Sequence, residues 1–77
     1  MGLEAEFTVE PFVPGEPGPH VAAAIDAARR AGATVDVGPF ANQVHGDENT
    51  VLLALGAALA AALAAGATRV SSQVSRT

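Results

Sequence analysis

Apolar and polar positions follow one another along this chain in six blocks. Leu3, Ala5, Phe7 and Val9 alternate with Glu4, Glu6, Thr8 and Glu10, the period-2 pattern of a strand with one apolar and one acidic face. Pro11 and Pro14 end the run, and VPGEPGP over 13–19 cannot continue a sheet. Val21, Ala24, Ile25 and Ala28 then recur at helical spacing, predicting a helix over about His20–Ala31 with Asp26, Arg29 and Arg30 on its other faces. Pro19 suits its first turn and Gly32 the position just past its end. Val35 and Val37 alternate with Thr34 and Asp36, and Phe40, Asn42 and Val44 alternate with Ala41, Gln43 and His45. Gly38-Pro39 separates these runs, so they read as two antiparallel strands joined by a tight turn. Asp47 can cap a second helix over about Glu48–Ala65, ended by Gly66, with Leu52, Leu55, Leu59 and Leu63 as its expected core stripe. Arg69–Arg76 alternates again, with Val70, Ser72 and Val74 on one face and Ser71, Gln73 and Ser75 on the other.

The order is β-α-β-β-α-β. Right-handed crossovers, with both helices buried on one sheet face, predict an α+β ferredoxin-like sandwich over residues 1–77, with antiparallel sheet order 4-1-3-2. No linker divides the chain. This topology gathers the Pro-rich loop, the Gly38-Pro39 turn and the Gly66–Thr68 connection at one end of the sheet. Asn42 and Ser72 are expected near that end, facing the helices. The opposite face carries Glu4, Glu6, Thr8, Glu10, Gln43, His45, Ser71 and Gln73, and is either solvated or a hydrogen-bonding interface.

Composition narrows the function classes. The chain has 77 residues and a net charge of −4, from eight acidic residues against four arginines and no lysine. That balance argues against nucleic acid or an anionic membrane as partner and is compatible with a cationic ligand. No cysteine is present, so thiol chemistry and disulfides are excluded. MGLEAEF has neither a basic nor an apolar leader region, which points to the cytoplasm. A domain this small often gains stability by association.

Four blocks carry a likeness to a known family: AEFTVEPFVPG, HVAAAIDAARRAG, VGPFANQVHGD before a helix, and GATRVSSQV. In order and spacing they resemble the small thiamine-binding, YkoF-like family, whose pattern reads A-E-F-T-V-x-P, Y-V-A-x-x-I, G-P-M-x-T-x-I-E-G-D and A-x-R-V-x-T-x-I. The resemblance covers nearly the whole chain. It implies a ferredoxin-like domain assembled as a dimer or tetramer, binding thiamine or its hydroxymethylpyrimidine half without catalysis. Asn42 stands where the family has Thr, His45 where it has Glu, and His20 where it often has Tyr. The family also usually places charges on the outer face of the second helix, and this chain does not.

Asn42 is the position that breaks the apolar pattern of its strand. A carboxamide offers a donor and an acceptor that complement the edge of an aminopyrimidine, or it bonds a neighbouring backbone group near the turn. Phe40 either stacks on a flat ring or packs in the core. Ser72 is a second polar group on the same face, and His20 is either solvated at a helix start or a stacking partner. The ligand-binding candidates are therefore Asn42, Ser72, Phe40 and His20. His45 is expected to pair with Glu6 or its neighbours, and the two histidines fall at opposite ends of the fold, so no transition-metal site is expected. No triad, P-loop or dinucleotide glycine pattern is present, and no catalytic residue or cofactor is nominated. The alternative reading is a structural or regulatory oligomer with no small-molecule ligand. Residues 51–67 contain no charged or polar side chain. They are short for a membrane span, and Gly56, Ala60 and Ala64 form a ridge that suits close approach of a second copy.

Overall fold

The computed structural model describes residues 2–12, 18–39 and 41–77. Their elements are β1 (Gly2–Glu10), α1 (Pro19–Arg30), β2 (Thr34–Val37), β3 (Asn42–Asp47), α2 (Glu48–Ala64) and β4 (Arg69–Arg76). The four strands form one antiparallel sheet in the order β2-β3-β1-β4. This is the predicted α+β ferredoxin-like arrangement, with the sheet order 4-1-3-2 read from the other edge. No helix among the described residues is long and apolar enough to cross a membrane.

Alternation decides the orientation of β1. Leu3, Ala5, Phe7 and Val9 are buried, while Glu4, Glu6 and Glu10 are exposed. Val44 of β3 and Val35 of β2 continue the apolar layer, which the helices cover with Ala24, Ile25, Ala28, Val51, Ala54, Leu55, Ala58 and Ala62. The helix ends obey local chemistry. Gly32 and Gly66 take φ of 100° and 110° just past α1 and α2, where a side chain would be strained. At the start of α2 the Asp47 carboxylate accepts from Thr50 N at 3.0 Å and from Thr50 Oγ1 at 2.9 Å.

The α2 core stripe differs from the expected one. Leu55 is buried, but Leu52, Leu53 and Leu63 are 51%, 69% and 53% exposed, and Leu59 is half-buried. The buried face is Val51, Ala54, Leu55, Ala58 and Ala62, roughly a quarter turn around the helix from the leucine stripe. Apolar residues surround α2 on every side, so periodicity cannot select its inward face. Packing selects it instead: α1 and α2 lie chiefly against each other, and Ala24 and Ala28 on α1 with Ala54, Ala58 and Ala62 on α2 let the backbones approach closely. The helices leave β4 thinly covered, with Ser72 and Val74 exposed although they share the helix-facing side with Phe7 and Ala5.

Phe7 is the largest of the fully buried side chains. Phe7→Ala should cost about 3–5 kcal/mol, most of the stability of a small domain, and an unchanged urea midpoint would place the core elsewhere. The hydrogen bonds from the Thr50 backbone and then its hydroxyl hold the Asp47 carboxyl below its ordinary value. A lowered folded-state pKa stabilises the fold above the unfolded-state value and loses that contribution as pH falls through the folded one. Melting temperature should therefore decline below about pH 5 less steeply in Asp47→Asn than in the native chain.

Candidate functional site

The end of the sheet that receives the Pro-rich loop is built by register. Val37 pairs with Asn42, Asn42 with Phe7, and Phe7 with Ser72, so these four form one row across β2, β3, β1 and β4 on the helix side. Three pairs further on, Glu10 lies opposite Arg69, and Thr68 N donates to the Glu10 carbonyl at 2.8 Å. The β2–β3 turn is closed by Gly38 N donating to Ala41 O at 3.1 Å. Phe40 and residues 13–17 lie outside the described residues.

Asn42 is 6% exposed, one of two buried polar residues among those described. Among the described residues its carboxamide forms no side-chain hydrogen bond. No buried side-chain polar atom among them is left without a partner. The Asn42 carboxamide, in the same row as Phe7, carries a donor and an acceptor that complement a donor–acceptor edge.

His20 is the other buried polar residue, and its position differs from that of a solvated helix start. Its Nε2 donates to the Pro11 carbonyl at 2.7 Å, which places the proton on Nε2. The ring lies over Gly18: a Cβ added there would stand 2.6 Å from Cε1. His20 thus ties the residue before the Pro-rich loop to the helix after it.

Ser72 is exposed and stands on the far side of Phe7 from Asn42, roughly 10 Å away at two strand spacings. It belongs to a cleft of about 240 Å³ lined by Glu6, Phe7, Thr8, Ser71, Ser72 and Gln73. Sequence patterning placed these side chains on the two faces but did not show that they line one cleft. His45 meets Asp36 of β2, at 3.1 Å from Nε2 to Oδ2, rather than Glu6; its partner across β1 is Glu4. No group of three or more His, Asp or Glu side chains among the described residues is placed to hold a metal ion.

If the ring of His20 sets the loop, crowding it should act like removing it. Gly18→Ala should lower the stability measured by urea unfolding by an amount similar to His20→Ala, about 1 kcal/mol for a lost hydrogen bond to a carbonyl. A Gly18→Ala variant as stable as the native chain would show that the ring is free to move.

No family model matches the chain, and no curated protein does. Solved structures do. A domain of unknown function, DUF77, from Bacillus cereus superposes with a TM-score of 0.70 at 23% identity, covering 96% of this chain and 72% of that one. A hypothetical protein from Methanocaldococcus jannascii gives 0.72 at 21% identity over 99% and 81%. A Thermotoga maritima protein provisionally described as a thiamine biosynthesis/salvage protein gives 0.56 at 19% identity over 97% and 81%. At these identities the likeness is one of fold, and the chain shares the ferredoxin-like fold of all three.

Proposed function

We propose that this chain is a non-catalytic binding module for thiamine or its hydroxymethylpyrimidine half, acting in the cytoplasm as a homo-oligomer. The observation that carries the reading is Asn42: a buried carboxamide in an otherwise apolar layer, without a hydrogen-bond partner among the described residues, at the end of the sheet where the loop arrives. An aminopyrimidine presents an amine donor beside a ring-nitrogen acceptor, which one carboxamide satisfies with two hydrogen bonds. Such pairing discriminates strongly, because a ring lacking either group leaves a buried polar atom unpaired. Phe40 is proposed to stack on the ring. Ser72 lies far enough from Asn42 to meet a different part of an extended ligand, and His20 shapes the wall. The net charge of −4 favours a cationic thiazolium over an anion. The fold shared with the Thermotoga maritima protein and the four sequence blocks support the same ligand class.

A structural or regulatory oligomer without a small-molecule ligand is the second reading, and the exposed leucines of α2 favour it. Thermal shift with thiamine, hydroxymethylpyrimidine and unrelated heterocycles separates the two. At a hundred times its dissociation constant a ligand adds about 2.7 kcal/mol, a rise of order 10 °C for a chain of this length. Asn42→Leu keeps the volume and removes the amide, so the fold should persist while the shift and the calorimetric binding heat disappear. Unchanged affinity in that variant rules out Asn42 as the reader, and no shift with any aminopyrimidine overturns the ligand reading.

A further inference from the structure

The face of the sheet turned away from the helices carries a cavity that recognition by Asn42 does not use. The cleft of about 240 Å³ is lined by three consecutive register pairs, Glu6–Gln73, Phe7–Ser72 and Thr8–Ser71. Phe7 is buried under the helices, and side chains alternate between the two faces of a strand. Glu6, Thr8, Ser71 and Gln73 therefore project from the opposite face, and the cleft opens there. Phe7 and Ser72 contribute backbone to it.

The chemistry of the lining narrows the occupant. The one aromatic ring among the lining residues, that of Phe7, is turned away, so a flat heterocycle has no ring to stack on. A single carboxylate falls short of the oxygen cage that a calcium ion takes. Glu6 stands directly opposite Gln73 on β4 and Gln43 on β3, with side chains starting about 5 Å apart. Glu10, Asp26, Asp36 and Glu48 each meet an arginine or histidine, whereas Glu6 meets no cation among the described residues. A primary ammonium has three donors and no acceptor. The Glu6 carboxylate and the Gln73 carboxamide oxygen can accept two of them, one with charge assistance. Thr8 and Ser71 set two hydroxyls about 7 Å further along the strands, where each can donate or accept. We infer that this cleft binds a small primary amino alcohol, its ammonium on Glu6 and Gln73 and its hydroxyl on Thr8 and Ser71. The site lies on the other face from Asn42 and goes beyond the pyrimidine reading. A chain that binds the amino alcohol but not thiamine keeps this site and loses that one.

Amide NMR titration with 5-aminopentanol, whose extended form spans the distance between the two groups, tests the assignment. Resonances of Glu6, Thr8, Ser71 and Gln73 should shift and saturate in the millimolar range. Pentanol, which lacks the charge, and the N-trimethylated compound, which lacks the N–H donors, should leave them in place. Glu6→Gln should weaken binding about tenfold or more, the loss expected for a hydrogen bond to a charged group, and Gln73→Leu should weaken it as well. Glu4→Gln removes the same charge from the same face of β1, outside the cleft. At 0.15 M salt, screening should limit its effect to about twofold. Both glutamates are exposed, so circular dichroism should not change; if Glu6→Gln fails to fold, Gln73→Leu decides. Equal losses in the Glu4 and Glu6 variants would reveal diffuse attraction to an acidic face and overturn the site. Shifts that never saturate, or equal binding of the trimethylated compound, overturn it too. Pentylamine binding as tightly as 5-aminopentanol overturns the role of Thr8 and Ser71.

Discussion

The inward side chains of β1 leave water only if both helices lie over them, because β1 is a central strand whose other face carries Glu4, Glu6 and Glu10. A sheet with one charged face has one core, and every element of this chain is placed by covering that single side. Phe7 sits at the middle of it, between β3 and β4, and fixes the row on which Asn42 and Ser72 stand. Surface charge pairs add little to this. Asp26–Arg30, Glu10–Arg69 and Glu48–Arg76 are all well exposed, and such pairs contribute at most about 1 kcal/mol each.

Covering the sheet with alanine-rich helices has a geometric consequence. Small residues between α1 and α2 draw the helices together, and a narrow pair does not reach across four strands. The edge strand β4 is therefore left thinly covered. Leu52, Leu53 and Leu63 stand on the outer side of α2.

The candidate ligand end has a different logic. Among the described residues His20 bonds Pro11, Thr68 bonds Glu10, and Gly38 closes its turn on Ala41. Asn42 adds a buried carboxamide. A site built this way would bind through one specific pairing, as the proposed recognition of a small planar ring requires.

The six elements and their order were legible in the sequence because each is a local property. Alternation fixes the two faces of β1, proline and glycine mark the breaks, and Asp47 caps α2 through residues three apart. The inward position of Asn42 followed from the same period of two. The ends of α1 followed from Pro19 and Gly32, and the sheet order from right-handed crossovers with both helices on one face. Three features were decided only by tertiary structure. His20 is buried because Pro11 and Gly18 meet it across a loop, a contact no local pattern encodes. His45 pairs with Asp36 on β2, although Asp36 and Glu6 both lie diagonally from it across β3, opposite Gln43. The face that α2 buries was set by close packing against α1, since a helix apolar on all sides has no period for its sequence to reveal.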